Sequence, residues 1–306
     1  MNIFRKHKTY DEIVPLYLAT RKIEVRSGTY SNDVCKCNAF SRWLKENSLS
    51  NVPLIKITSE QLSSFFVYLA TNKKLDKPTC EKHFLELRLI WRFAKKRNEA
   101  DKEPFDLIVF PSKQRDCSAQ VIAYEHLKEL LPEIKRRDKQ LYLACMMLYY
   151  CFIRPGNELR HLMVSDIDLE QGTIRIPLNT AKSGRTEIVT MPTQLIEICK
   201  EYGLSTANKE LYVFSKRKTY GTRTLSENVL PYRFNKIRDY FNFPKGYKLY
   251  SFKHTGASNL HLSGNISMRE LMDQLRHTKL DATQHYVKKH AGIINTRIRD
   301  NFPCPL

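Results

Sequence analysis

The hydrophobic residues of this chain change their spacing along its length, and that change limits the folds open to it. Through the first hundred residues they recur at the three- and four-residue spacing of amphipathic helices. Between about residues 167 and 191 they alternate at period two, with turns at Gly172 and at Lys182–Arg185, and helical spacing then returns. The pattern predicts a mainly α fold with a small antiparallel β-sheet in the second half of the chain.

Six helices are predicted before that sheet. The third begins with Thr58 and Gln61 in a capping-box pattern, whose side chains satisfy amide groups at a helix start. The approximate bounds are Tyr10–Arg26, Tyr30–Asn47, Ser59–Asn72, Pro78–Asn98, Tyr124–Lys135 and Asp138–Phe152.

A charged stretch with prolines separates the fourth predicted helix from the fifth. Pro104 and Pro111 break any helix, and residues 112–116 are polar without periodicity. We therefore predict a helical domain over residues 1–106, a linker over 107–119 and a second, mixed α+β domain over 120–306. A surface loop within a single domain is the alternative, which the four complete upstream helices disfavour.

The chain carries a formal net charge of +19 and has a pI near 9.5. This excess favours a polyanionic partner such as nucleic acid over an acidic membrane surface, and a basic protein without such a partner is the alternative. The first residues are charged and lead into no apolar segment, so we expect a cytoplasmic protein. The longest apolar run, Leu141–Ile153, falls short of the ~20 residues that span a bilayer and predicts a buried helix and no membrane partner.

The eight cysteines are scattered along the chain. In the closest pair, Cys35 and Cys37 are separated by one residue, whereas zinc sites usually have two or more residues between neighbouring ligands. We therefore expect free thiols in a reducing compartment and no metal site.

Arg154 and Glu158 form the first candidate site segment. Arg154 follows an apolar helix and precedes Pro155, which is suited to the first position of a new helix, so Arg154 is expected at the junction of two helices. Glu158 lies about one helical turn later, where its carboxylate can hold the guanidinium in position. A helix-capping arginine with a surface ion pair is the alternative.

Two further segments carry polar residues that suit phosphate chemistry. Lys182 and Arg185 lie in the turn between two predicted strands, where the alternative is an ordinary solvated turn. His277 and Tyr286 are nine residues apart and either converge on one phosphate or pack at a helical corner. A tyrosine hydroxyl, with a pKa of about 10, becomes a useful nucleophile when cationic groups gather its target phosphate.

Taken in order, these segments resemble the active site of the tyrosine recombinases, the family of phage integrases and Xer-like recombinases. Residues 1–106 are similar to the helical, SAM-like core-binding domain of that family, and residues from 120 onward to its catalytic domain. The chain departs from the usual pattern at four points. Tyr250 stands where histidine is usual, Lys253 where a second arginine is usual and Arg276 where glycine is common, and one extra residue separates Arg154 from Glu158.

The resemblance implies that the chain is an enzyme that cuts and rejoins DNA without a metal or other cofactor. Tyr286 would attack the scissile phosphate, forming a 3′-phosphotyrosyl bond and releasing a 5′ hydroxyl. Arg154 and Lys253 would neutralise the non-bridging oxygens, His277 would hydrogen-bond to the phosphate or assist the nucleophile, and Lys182 would protonate the leaving oxygen. The implied catalytic residues are Arg154, Glu158, Lys182, Tyr250, Lys253, His277 and Tyr286, with Tyr250 donating a hydrogen bond where histidine usually does.

The resemblance also implies double-stranded DNA as the partner. Four protomers, each a monomer in solution, would act on two duplexes, and directionality or accessory proteins are further partners. The tail from Val287 to Leu306 would dock either on a neighbouring protomer or on its own domain. The basic residues predicted to contact DNA are Arg88, Lys95, Lys96, Arg97, Arg185, Lys216, Arg217 and Lys218.

Two other interpretations stay open. One is a DNA-binding accessory protein of the same fold with weak or lost catalysis, which Tyr250 and Lys253 favour and the other implied catalytic residues oppose. The other is a type IB topoisomerase-like enzyme, which would use the same chemistry without strand exchange. The helical first domain and the tail after Tyr286 favour a recombinase. A module that binds no DNA would leave both the charge and the ordered motifs unexplained.

Overall fold

The computed structural model describes residues 7–112, residues 119–278 and Thr283. The chain divides into two compact units, Met1–Asp116 and Cys117–Leu306. Tyr286 and the tail after it lie outside the described residues, and so do residues 113–118 of the predicted linker. Each unit has a hydrophobic core of its own.

The first unit contains the four helices that the sequence predicts, and their ends lie within three residues of the predicted ones. The capping box at the start of the third is confirmed, since the amide of Gln61 donates to Thr58 Oγ1 at 3.3 Å and the amide of Thr58 donates to Gln61 Oε1 at 3.0 Å. The helices are α1 (Tyr10–Glu24), α2 (Ser27–Glu46), α3 (Ser59–Thr71) and α4 (Lys77–Lys95).

Aromatic side chains fill the core of the first unit. The Phe40 ring meets Tyr10 and Phe65 edge to face, each with ring centroids 4.8 Å apart, and Trp91 lies 6.2 Å from it. Rings in this arrangement contribute both buried apolar area and favourable quadrupole contacts. The core therefore fixes how α1 to α4 pack, and with them the exposed basic end of α4.

The helices of the second unit surround a buried helix, α6 (Lys139–Cys151). The predictions of a fifth and sixth helix are confirmed, and the apolar run predicted to be buried forms α6. The neighbouring helix α10 (Ser251–Leu262) packs so closely on α6 that a Cβ atom added at Gly256 would lie 1.9 Å from the carbonyl oxygen of Tyr149. The described helices are α5 (Tyr124–Arg137), α6 (Lys139–Cys151), α7 (Asn157–Arg160), α8 (Thr193–Glu201), α9 (Val229–Tyr240), α10 (Ser251–Leu262) and α11 (Met268–Leu275).

The predicted antiparallel sheet is present in the second unit. Its strands are β1 (Ile167–Asp168), β2 (Thr173–Ile176) and β3 (Glu187–Thr190), hydrogen-bonded in the order β1-β2-β3. Ile174 and Ile176 face the core while Arg175 between them is exposed, which explains the period-two pattern. Gly172 turns the chain between β1 and β2 in the left-handed conformation, with φ of 63°.

Among the described residues, no helix has both the length and the apolar character needed to cross a membrane. Six cysteines fall in this part of the chain, and all six are free thiols. The same part contains no group of three or more histidine, cysteine or acidic side chains arranged to hold a metal ion.

Candidate active site

Arg154 lies between α6 and α7, at the helix junction that the sequence predicts, but α7 begins at Asn157 and not at the predicted Pro155. Phe152 ends α6 in the left-handed conformation, with φ of 53°, and so redirects the chain. The backbone amide of Arg154 donates to Glu158 Oε2 at 3.0 Å, and its Nη1 donates to Glu158 Oε1 at 2.5 Å. The predicted contact between these two residues is therefore present despite the extra residue that separates them.

The burial of Glu158 distinguishes this contact from a surface ion pair. The Glu158 side chain is 2% exposed, whereas that of Arg154 keeps 21% of its surface exposed. A buried carboxylate that accepts from both the amide and the guanidinium of Arg154 restricts the orientation of that side chain. The exposed part of the guanidinium remains available to a phosphate.

Arg276 brings a second guanidinium to the same carboxylate. It follows α11 as the C-cap residue in the left-handed conformation, with φ of 58°. Its Nη2 donates to Glu158 Oε2 at 2.9 Å and to the carbonyl oxygen of Phe152 at 3.0 Å, and its Nη1 lies 3.4 Å from Glu187 Oε2. The Arg276 side chain is 3% exposed. Arg276 was not among the residues predicted to form the site.

These contacts keep Glu158 ionised. Burial raises the pKa of Glu158, but the charge of Arg276 and the charge and hydrogen bonds of Arg154 outweigh burial and hold that pKa below its usual value. The site therefore has a buried negative charge at its centre.

Lys253 lies on α10 beneath this group. It is 0% exposed, and its ammonium donates to the carbonyl oxygen of Phe152 at 2.8 Å, the same oxygen that Arg276 contacts. Burial, and then the charges of Arg154 and Arg276, lower the pKa of Lys253 well below its ordinary value. Lys253 thus adds its side chain to the cluster from the protein interior.

His277 follows Arg276 directly and is half-buried. Its Nδ1 lies 3.0 Å from Thr283 Oγ1. Burial, followed by the charges of nearby lysine and arginine side chains, lowers the pKa of His277 to about 4. Those cations are Lys253, Arg154, Arg276 and Lys182.

The other predicted catalytic residues lie at the edge of this cluster or outside the described chain. Lys182 is exposed in the connection between β2 and β3, and its charge acts on His277. Tyr250 is half-buried as the residue before α10, with its ring 5.1 Å from that of His254. Tyr286 lies outside the described residues.

Most of the residues predicted to contact DNA are exposed. Arg88 is the exception, because it is half-buried and its Nε donates to Glu103 Oε2 at 3.2 Å. The Arg97 guanidinium packs over the Phe93 ring at 3.6 Å, and Lys218 lies 3.7 Å from Asp138 Oδ2. Exposed lysines and arginines are found at the end of α4, in the β2–β3 connection and in the loop before α9: Lys95, Lys96, Arg97, Arg185, Lys216, Arg217 and Lys218.

We expect His277 to titrate near pH 4 in the protein without DNA. Because this folded-state pKa lies below the unfolded value of about 6.5, His277 lowers the stability of the fold as pH falls from about 6.5 towards 4. Imidazole NMR signals followed against pH would measure it, with His277→Asn to assign the resonance. Lys182→Ala should raise the value, since it removes a nearby cation. A pKa of 6.5 in the wild type would contradict the geometry.

Comparisons with known proteins cover both units. Residues 120–292 match the sequence profile described as the phage integrase family, and residues 12–114 match the phage integrase SAM-like domain. The first match alone spans more than half of the 306 residues. The tyrosine recombinase XerA of Thermococcus onnurineus (strain NA1) is 25% identical over 207 residues, which are 66% of this chain and 67% of that protein.

Two solved structures of lambda integrase share the fold. One is a dimer of residues 75–356 bound to a COC′ core site, with a TM-score of 0.76 and 16% identity over 94% of this chain and 98% of that one. The other is a tetramer bound to a Holliday junction, with a TM-score of 0.75 and 14% identity over 92% of this chain and 78% of that one. At these identities the likeness shows the fold alone.

Proposed function

The chain belongs to the phage integrase family of tyrosine recombinases, and we propose on this premise that it cuts and rejoins DNA at specific sites through a 3′-phosphotyrosyl intermediate. The observation that carries the proposal is the cluster of basic side chains around Glu158, in which Arg154 and Arg276 share one buried carboxylate and Lys253 lies beneath them. His277 adjoins the cluster. Such a group suits the negative charge that builds up on a phosphate under attack.

In the proposed reaction, Tyr286 Oη forms a bond to phosphorus and the bond from phosphorus to the 5′ oxygen breaks. Arg154 donates to a non-bridging oxygen, and Lys182 gives a proton to the departing 5′ oxygen. The tyrosine proton passes to His277, which is neutral at pH 7 because its pKa is about 4. An anionic phosphate beside His277 would raise that pKa and so favour the transfer.

Because one phosphoester replaces another, the covalent bond conserves the energy of the cut backbone. A 5′ hydroxyl from either the same or a partner strand can then reverse the step. The released proton returns to Tyr286 from His277, and Lys182 accepts the proton of the attacking hydroxyl. None of these proposed reaction steps uses a metal ion or another cofactor.

We further propose double-stranded DNA as the substrate and four protomers on two duplexes as the working assembly, with the free chain a monomer in the cytoplasm. The net charge of +19 and the exposed basic side chains on both units support a DNA partner. The lambda integrase tetramer on a Holliday junction supports the assembly by analogy. The domain boundaries of 1–106, 107–119 and 120–306 and the action of accessory proteins belong to the same proposal.

The test uses a duplex selected from a randomised pool by binding, then nicked so that a cleaved strand end is lost and the covalent adduct is trapped. We expect wild-type protein to form an adduct whose nucleotide maps by mass spectrometry to Tyr286. Tyr286→Phe is the control, because it keeps the ring but lacks the attacking oxygen. Adduct on any other residue would overturn the assignment of the nucleophile.

One observation favours the accessory-protein alternative, namely that Lys253 is buried with its ammonium turned to the carbonyl of Phe152. Wild-type protein that binds the selected duplex and forms no adduct would support that alternative. Adduct formation with relaxation of plasmid lacking the selected site, and with no joining between duplexes, would support the topoisomerase-like one.

A further inference from the structure

The carbonyl oxygen of Phe152 accepts hydrogen bonds from two basic side chains, one on α10 and one directly after α11. Lys253 Nζ on α10 donates to it at 2.8 Å, and Arg276 Nη2 at the end of α11 donates to it at 3.0 Å. Both side chains are almost completely buried, at 0% and 3% exposed. One guanidinium and one ammonium therefore share a single small volume under Arg154.

We propose that Arg276 is a positioning residue whose guanidinium fixes Glu158 and through it Arg154, and that Arg276 and Lys253 form a pair in which the guanidinium can come from either position. This inference rests on the proposed function and adds the residue that orients its phosphate-binding arginine. Arg276 acts through Glu158 and is not placed on the phosphate itself.

The geometry of Glu158 carries the first half of the proposal. Oε1 accepts from the Arg154 guanidinium, and Oε2 accepts both from the Arg154 amide and from Arg276 Nη2. Without Arg276, the carboxylate would keep one cationic partner and could rotate toward it. The direction in which Arg154 presents its exposed edge therefore depends on Arg276.

Two features show that fold stability alone does not favour arginine at position 276. Its backbone is left-handed, with φ of 58° and ψ of 49°, a conformation that glycine adopts at lower cost. Its Nε is buried and has no hydrogen-bond partner among the residues described. Strained and incompletely paired groups of this kind concentrate at functional sites.

Arg276 also ties the cluster to the sheet. Its Nη1 lies 3.4 Å from Glu187 Oε2, and Glu187 begins β3, directly after the connection that carries Lys182. The same guanidinium thus contacts the carboxylate that orients Arg154 and the strand next to the proposed general acid. Arg276 therefore links the carboxylate that orients the phosphate-binding Arg154 to the strand that follows the proposed general acid, Lys182.

Steric packing carries the second half of the proposal. A guanidinium is larger than an ammonium, and an arginine at position 253 would enter the volume that Arg276 already fills. With glycine at 276 that volume is vacated, and an arginine at 253 can reach the Phe152 carbonyl and Glu158 from the α10 side. The pair should therefore tolerate exchange while Lys253→Arg alone is harmful.

The experiment compares four variants for adduct formation on the selected nicked duplex: Arg276→Gly, Arg276→Lys, Lys253→Arg and the double variant Lys253→Arg/Arg276→Gly. Rates are measured at saturating duplex and across pH, and duplex affinity is measured separately. Arg276→Gly should fold, because glycine suits the left-handed backbone at 276. Arg269→Ala, an exposed arginine on the same helix, is the matched control.

We expect Arg276→Gly to lower the saturating rate by about 10- to 100-fold, the range seen when a residue that orients a metal ligand is removed, with duplex affinity nearly unchanged. Arg276→Lys should recover part of the rate. The acid limb of the rate profile should move to higher pH in Arg276→Gly, because Glu158 loses the charge that lowers its pKa. The double variant should be at least about tenfold faster than Arg276→Gly.

A wild-type rate and pH profile in Arg276→Gly would overturn the positioning role. A double variant no faster than Arg276→Gly would overturn the exchangeable pair. The absence of adduct with wild-type protein would instead overturn the proposed function, and this inference with it. If wild-type protein forms the adduct and either of the first two results is obtained, the inference fails while the proposed function stands.

Discussion

Replacing Arg154 with alanine is expected to lower the rate of adduct formation by about 10³-fold, the cost of removing a fixed donor from a developing oxyanion. The Arg154 guanidinium is held by Glu158 and keeps an exposed edge, so it is aligned before substrate binds. The loss should fall on the chemical step more than on duplex affinity, because the other exposed cations on both units would remain to bind the DNA backbone. Rates at saturating duplex would separate the two.

The fold should survive this change, since Arg276 still pairs with the buried Glu158 carboxylate. Arg154→Lys should recover only part of the rate, because an ammonium is a point charge and cannot donate to Glu158 and a phosphate in the planar geometry of a guanidinium. Arg269→Ala, which removes an exposed ion pair on α11, is the control and should cleave normally. If Arg154→Ala cleaved within tenfold of wild type, the phosphate would have to bind elsewhere.

The first unit follows its sequence closely because its signals are local. Helical periodicity, a capping box at Thr58 and the prolines after α4 act within a few residues, and they predict α1 to α4 to within three residues at each end. The sheet of the second unit was predictable for the same reason, since Ile174 and Ile176 are buried and Arg175 between them is exposed. Local sequence patterns therefore account for the helices of the first unit and the strands of the second.

The arrangement within the site was only partly predictable, because its contacts connect distant parts of the chain. Glu158 and Arg154 are four residues apart, so their contact is local in the chain, although α7 begins only at Asn157. Arg276 reaches Glu158 across 118 residues and the Phe152 carbonyl across 124. The one available signal was an arginine at a position suited to glycine, and nothing in its neighbours indicates which carboxylate it meets.

The burial of Lys253 also depends on tertiary packing. The residues around it on α10 show no hydrophobic pattern that would predict whether a lysine at 253 is buried or exposed. Lys253 is buried because α10 packs closely against α6. The sequence therefore predicted that a cation would be present at 253 but not that its ammonium would turn to the Phe152 carbonyl. The same close approach makes Gly256 a sensitive position.

Gly256→Ala is expected to destabilise the second unit by about 3 kcal/mol or more, the upper range for overpacking. The added Cβ would lie 1.9 Å from the carbonyl oxygen of Tyr149 and 2.8 Å from its carbonyl carbon. Both are backbone atoms of α6, so no side-chain rotation relieves the clash and α10 must move. Because α10 carries Lys253, adduct formation should fall as well.

The two units can be followed separately in one denaturant titration, because the two tryptophans of the chain, Trp43 and Trp91, both lie in the first unit. Gly256→Ala should move the far-UV circular dichroism transition to lower denaturant and leave tryptophan fluorescence unchanged. Gly28→Ala on α2, where an added Cβ meets nothing within 4 Å, is the matched control. It should raise the free energy of unfolding of the first unit by about 0.5 to 1 kcal/mol, since alanine restricts the unfolded chain and favours helix. The fluorescence transition should therefore move to higher denaturant. An unchanged dichroism transition in Gly256→Ala would contradict the close packing of α10 on α6.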